Sequence, residues 1–171
     1  ALDVIVMRKS EINGFAGTLS HEMGHYFSLL HVFNGWDGTF WEASEHGNPV
    51  SSQFSPGGVL NELADGSNCN DAGDFLCDTP ADYNLGFSNA GCAPYNGGCK
   101  DFNGELLDPQ EDNIMSYFIG CEQYLFSDDQ TEMIFADYNS SDRNFRRVNY
   151  TPNTAEVGGD VVLDFPVNNE V

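Results

Sequence analysis

The stretch His21-Glu22-Met23-Gly24-His25-Tyr26-Phe27-Ser28-Leu29-Leu30-His31 decides how this chain is read. At about 100° per residue, His21 and His25 fall only about 40° apart on a helix and one turn from each other, so both imidazoles can reach a single Zn²⁺. Glu22 sits at the edge of that face. It can reach water held there and act as a general base without ligating the metal. On a continued helix His31 would point about 100° away and lie roughly 9 Å further along. It can be a third ligand only if the chain turns sharply out of the helix near Ser28; otherwise it is an ordinary histidine.

The rest of the chain bounds what that stretch can belong to. Its 171 residues carry 6 Lys plus Arg against 27 Asp plus Glu, a net charge of −21. Such a chain lacks the basic stripe that nucleic acid demands, and an anionic membrane surface would repel it. No apolar run approaches the roughly 20 residues of a membrane span, so no membrane insertion is expected. With 40% apolar and 13% aromatic residues a packed core is affordable, and the acids read as its solvated surface. Cys69, Cys77, Cys92, Cys99 and Cys121 contain no Cys-x-x-Cys pair, which favours disulfides and an extracytoplasmic compartment over a redox motif, with one thiol left over.

Residues 1–7 alternate as a strand, and residues 15–28 read as a buried helix with Phe15, Leu19, Met23 and Tyr26 on its apolar face. From 34 to 104 the chain is punctuated by Gly, Pro, Asn and Asp and reads as loop. Ser127 and Gln130 fit a capping box, predicting a second helix over 128–142. The fold class expected is α+β, with residues 1–148 as one catalytic domain and 149–171 as a linker opening a following segment.

The His-Glu-x-x-His-x-x-x-x-x-His spacing, Asn113-Ile114-Met115-Ser116-Tyr117, Cys77-Asp78-Thr79-Pro80 and Phe126-Ser127-Asp128-Asp129-Gln130 together resemble the metzincin zinc endopeptidases, in their pappalysin-type branch. The resemblance covers roughly residues 1–145. It implies a zinc helix above a loop-rich lower subdomain, a Met-turn with Met115 as an apolar floor beneath His21, His25 and His31, and Glu22 as the catalytic base. Tyr117 resembles the tyrosine that steadies an oxyanion in several metzincins, although it also reads as a core aromatic. The resemblance further implies Cys69–Cys99 and Cys92–Cys121 disulfides with Cys77 unpaired, and it permits Ca²⁺ at Asp71, Asp74, Asp78 and Thr79, where hard oxygen ligands cluster. Ser28 stands where the family has glycine. A left-handed conformation there costs a serine about 1 kcal/mol. The upper sheet of such a domain is largely absent from this chain, so residues 1–171 are expected to be part of a longer polypeptide.

These readings make the chain a secreted or cell-surface zinc-dependent endopeptidase acting on a protein or peptide substrate. Glu122 or Asp128 near the substrate pocket would favour cationic residues. Two alternatives remain open at this level: a thermolysin-like peptidase with Glu62 of Asn61-Glu62 as third ligand, and a non-catalytic domain stabilised by metal and disulfides.

Overall fold

Among the described residues regular backbone pairing is scarce, and loops build most of the core they form. The computed structural model describes residues 5, 16–89, 91–141 and 143. Among them are helix α1 (Ala16–Tyr26), a single-turn helix α2 (Ala43–His46), a 3₁₀ turn (Leu85–Phe87) and helix α3 (Asp128–Asn139). Strand pairing among the described residues takes the form of isolated bridges, including Phe54 with Leu60 and Lys100 with Leu106, both antiparallel, and Asn113 with Leu125, parallel. The strand expected at 1–7 (residue 5 apart), Phe15 and the segment 149–171 lie outside the described residues.

The buried apolar cluster joins Leu29, Val32, Phe33 and Trp36 to Tyr83, Leu85, Ile114, Met115 and Phe118. Sheet ladders are not available to satisfy the backbone of these loops, so buried polar side chains do it. Asn84 donates to the carbonyls of Trp36 and Thr39. Asp101, fully buried, accepts from the N–H groups of Ala64 and Glu105. Asp82 accepts from the Leu85 N–H and the Ser116 hydroxyl. The acids are therefore not all a solvated surface: Glu62, Asp74, Asp82 and Asp101 are buried.

Helix α1 is not the buried helix its composition suggests. Leu19 is 54% exposed, most of the helix is half-buried, and only Gly24 is fully covered. The reason for Gly24 is contact: a Cβ there would come within 2.4 Å of Met115 Sδ.

The helix ends in a Schellman motif. Leu29 N–H returns to the Gly24 carbonyl at 3.0 Å and Ser28 N–H to that of His25 at 3.0 Å, with Ser28 left-handed at φ 70°. The Leu29 side chain, 2% exposed, seals the turn against the core. The serine hydroxyl reaches Asp137 of α3 at 3.3 Å, and Asp137 also pairs with Arg143 at 2.8 Å. Helix α3 opens on the capping box read from the sequence: Ser127 Oγ accepts the Gln130 N–H, and the Gln130 side chain accepts that of Ser127.

The cysteine pairing differs from the family-like expectation. Cys69 bonds Cys77, Cys92 bonds Cys121, and Cys99 is a free, fully buried thiol. Turns at 68–71 and 72–75, with left-handed Gly73 and Phe75, fold the intervening loop back on itself, which brings Cys69 and Cys77 within 5.0 Å at Cα. Cys99 instead packs in the core. By loop-closure entropy the short bridge stabilises by about 2.6 kcal/mol, against about 3.6 kcal/mol for the longer pairing expected.

Ser28→Gly should stabilise the fold by about 0.5–1 kcal/mol, because glycine adopts the left-handed turn without steric cost while losing only the weak bond to Asp137. Urea denaturation with the helix signal as readout tests this; a destabilised variant would show that the hydroxyl outweighs the strain.

Candidate metal centre

Helix α1 sets His21 and His25 one turn apart, and the Schellman turn carries the chain back so that His31 faces both. His31 Nε2 lies 3.1 Å from His21 Nε2 and 3.0 Å from His25 Nε2. Among the described residues these three form the one group of His, Cys, Asp or Glu side chains close enough to share a metal ion.

Their protons are dictated from behind. His21 Nδ1 lies 2.6 Å from the Ile114 carbonyl, and His25 Nδ1 lies 2.8 Å from that of Leu29. A carbonyl can only accept, so both Nδ1 atoms carry hydrogen. His31 Nδ1 lies 2.5 Å from Asp37 Oδ1. Burial opposes ionisation of Asp37, yet the hydrogen bonds from His31 and Gly35 hold it below the ordinary carboxylate range. Burial likewise pushes His21 and His31 below the usual imidazole value. A ring whose single hydrogen is at Nδ1 presents a bare lone pair at Nε2. Three lone pairs meeting at such separations repel one another unless a cation lies among them, and imidazole nitrogens with a fixed tautomer are the donor set that suits Zn²⁺.

The Met-turn holds this arrangement. Asn113 Oδ1 accepts the Met115 N–H at 2.9 Å, and Met115 accepts the Val32 N–H at its carbonyl, 3.3 Å away, tying the turn to the segment just past His31. Met115 is fully buried beneath α1. Asn113 exchanges hydrogen bonds with Gln130, so the capping box of α3 and the Met-turn share one amide.

Glu22 and Tyr117 line a common open cleft of about 490 Å³ that begins at His21. The Tyr117 ring lies 5.0 Å from His31 and 5.9 Å from His21. Burial, with the negative charges of Asp37 and Glu22, raises its pKa, so the phenol stays protonated and able to donate.

Other sequence candidates fall elsewhere. Glu62 does not join the histidines, which removes the basis of a thermolysin-like ligand set; its carboxylate lies against Gly73, whose added Cβ would meet Glu62 Oε2 at 2.5 Å. Among the described residues Asp71, Asp74 and Asp78 do not form a group of three carboxylates close enough to share one ion, while Thr79 is bonded to Asp74. Asp78 is turned to α3, accepting from Ser127 Oγ and Asp129 N–H, each at 2.8 Å. Asp74 Oδ1 takes the Thr79 hydroxyl and the Leu76 N–H, while its Oδ2 is buried without a hydrogen bond. His46 packs edge-on against Trp36 at 4.9 Å. Glu122 and Asp128 do not line the cleft. Sequence reading missed Asp37, which looks like any exposed acid in a glycine-flanked turn. Its one available signal was its place six residues past His31, a candidate ligand.

Two predictions follow from these contacts. Asp37→Ala should weaken zinc binding about 10- to 100-fold by freeing the His31 ring, measured by competition with a chromogenic chelator; unchanged affinity would remove Asp37 from the centre. Burial, reinforced by Asp74, raises Glu62 to about 8, against about 4.3 in an unfolded chain. Between those pH values unfolding releases a proton, so stability falls as pH rises, by up to about 1.4 kcal/mol per unit. With metal chelated, Glu62→Gln should flatten the urea-stability profile between pH 5 and 8 by about one proton, and equal slopes would refute the assignment. No family model, curated protein or solved structure matches this chain, so the candidate centre is carried by the geometry of its own residues.

Proposed function

We propose that the chain is a zinc-dependent endopeptidase of metzincin type with pappalysin-like motifs. The observation that carries this reading is the convergence of three Nε2 lone pairs, each fixed by an acceptor at Nδ1, with Glu22 beside them at an open cleft. His21, His25 and His31 would hold the metal, leaving the cleft side free. Zinc bound there supplies Lewis acidity, lowering the pKa of water towards neutrality and polarising a scissile carbonyl. Glu22 takes the proton from the attacking water and returns it to the leaving amine. Tyr117 donates its phenolic hydrogen to the oxygen on which charge develops. A site that only braced the fold would have no use for the Glu22 carboxylate.

Two disulfides, together with no described helix long and apolar enough to cross a membrane, are compatible with an oxidising environment. From the disulfides we infer a secreted or cell-surface location, and from the peptidase reading a protein or peptide substrate.

The protein should bind close to one zinc per chain by elemental analysis, lost in His31→Ala and retained in Glu62→Ala. Glu22→Gln should keep the metal while casein or gelatin cleavage falls about 10²- to 10⁴-fold, the usual worth of a positioned acid-base group. Undiminished cleavage by Glu22→Gln would overturn the mechanism.

A further inference from the structure

The loop closed by Cys69 and Cys77 braces the histidine cluster from two directions. On one side the Gly73 carbonyl accepts the Asn34 side-chain N–H at 2.8 Å. Asn34 closes the turn that begins at His31, its backbone N–H reaching the His31 carbonyl at 3.0 Å. The next residue, Gly35, donates to the Asp37 carboxylate that orients the His31 ring. On the other side Asp78, directly after Cys77, accepts from Ser127 Oγ and the Asp129 N–H at the start of α3. From there Gln130 and Asn113 lead to the Ile114 carbonyl behind His21.

The loop's own backbone does not favour this shape. Phe75 is left-handed at φ 69° although its side chain is bulky, and Asp74 Oδ2 is buried without a hydrogen bond. Covalent closure offsets those costs by restricting the open loop. This bridge is also the more accessible one: Cys77 is exposed, whereas Cys92 and Cys121 are both half-buried. Cys99 does not compete as a nucleophile. It is fully buried, and burial pushes its thiol well above the ordinary range, so it stays protonated.

We propose that Asn34 and Asp78 are positioning residues for the histidine cluster, and that the Cys69–Cys77 bridge is a redox-sensitive clasp holding both in place. The clasp rests on the zinc reading above. An external dithiol opens it: one thiolate attacks the Cys77 sulfur and expels the Cys69 thiolate, and the second attacks the mixed disulfide and expels Cys77. The dithiol leaves as a cyclic disulfide, two electrons poorer, and its two protons end on Cys69 and Cys77. With the bridge open the loop relaxes at Phe75, Gly73 withdraws from Asn34 and Asp78 from Ser127, and His31 and His21 lose their aim together.

The test reads the zinc affinity of the full chain by competition with a chromogenic chelator. Cys69→Ser/Cys77→Ser should bind zinc about 10- to 100-fold more weakly, and Asn34→Ala and Asp78→Ala, each with the bridge intact, about tenfold more weakly. Helix content by circular dichroism should stay unchanged in the two alanine variants, so that the loss is one of aim rather than of fold. Added to the bridgeless chain, Asn34→Ala should cost less than about twofold more, because the clasp is already released; a full additional loss would overturn the clasp. Wild-type affinity in both Asn34→Ala and Asp78→Ala would overturn it too, whether or not the cysteine variant folds. Titration of the native chain with dithiol, quenched with iodoacetamide and mapped by peptide mass, should label Cys69 and Cys77 before Cys92 and Cys121, and the opposite order would overturn the redox assignment. These failures leave the zinc reading standing. An unaltered chain that binds no zinc would overturn that reading, and the clasp with it.

Discussion

Three imidazole lone pairs directed at one point are an electrostatic conflict that a protein has to enforce. Here the enforcement comes from three acceptors in three different segments: the Ile114 carbonyl of the Met-turn, the Leu29 carbonyl just past α1, and the Asp37 carboxylate in the loop beyond His31. Each fixes a ring's tautomer and its orientation together. The surrounding architecture can be understood as what holds those acceptors in register. The left-handed turn at Ser28 brings Leu29 under His25, and the Asn113 side chain shapes the Met-turn that offers Ile114.

The cost of building a site from loops is that many peptide groups have no ladder to join. The chain meets it with buried amides and carboxylates that span long sequence distances, such as Asp101 to Ala64 across 37 residues and Asn84 to Trp36 across 48. These groups act as fixed splints. Because an unsatisfied buried partner is expensive, each splint also makes alternative loop conformations unfavourable, which gives these loops a single arrangement.

How much of this could be read in advance depended on the range of the interaction. The helical period fixes the relation of His21 to His25, and local capping chemistry fixes the start of α3 at Ser127, so both were legible. The third histidine was legible only through its spacing and the need for a sharp turn at Ser28, which the structure makes with φ at 70°. The cysteine partners were not, because Cys69 meets Cys77 through backbone turns at Gly73 and Phe75 that composition does not announce. Reading the acids as solvated also failed for Glu62, Asp74, Asp82 and Asp101. The peptide and hydroxyl groups they serve, or the loops that cover them, come from folding rather than from neighbours in sequence. Asp37 was missed for the same reason: nothing distinguishes its turn from others until His31 arrives beside it.

Gln130 closes the capping box at the start of α3 and, with the same side chain, clasps Asn113 of the Met-turn. Asp78, 49 residues before Ser127, completes the helix entrance. The nucleating turn of α3 is therefore assembled from parts that are distant in the chain and shared with the floor of the histidine cluster. Helix and floor then belong to one cooperative opening unit: fraying that begins at Ser127 removes the clasp on Asn113 and loosens the Ile114 carbonyl that aims His21. An event at the solvent-facing start of a helix would be felt as a change in how firmly His21 is aimed at His25 and His31.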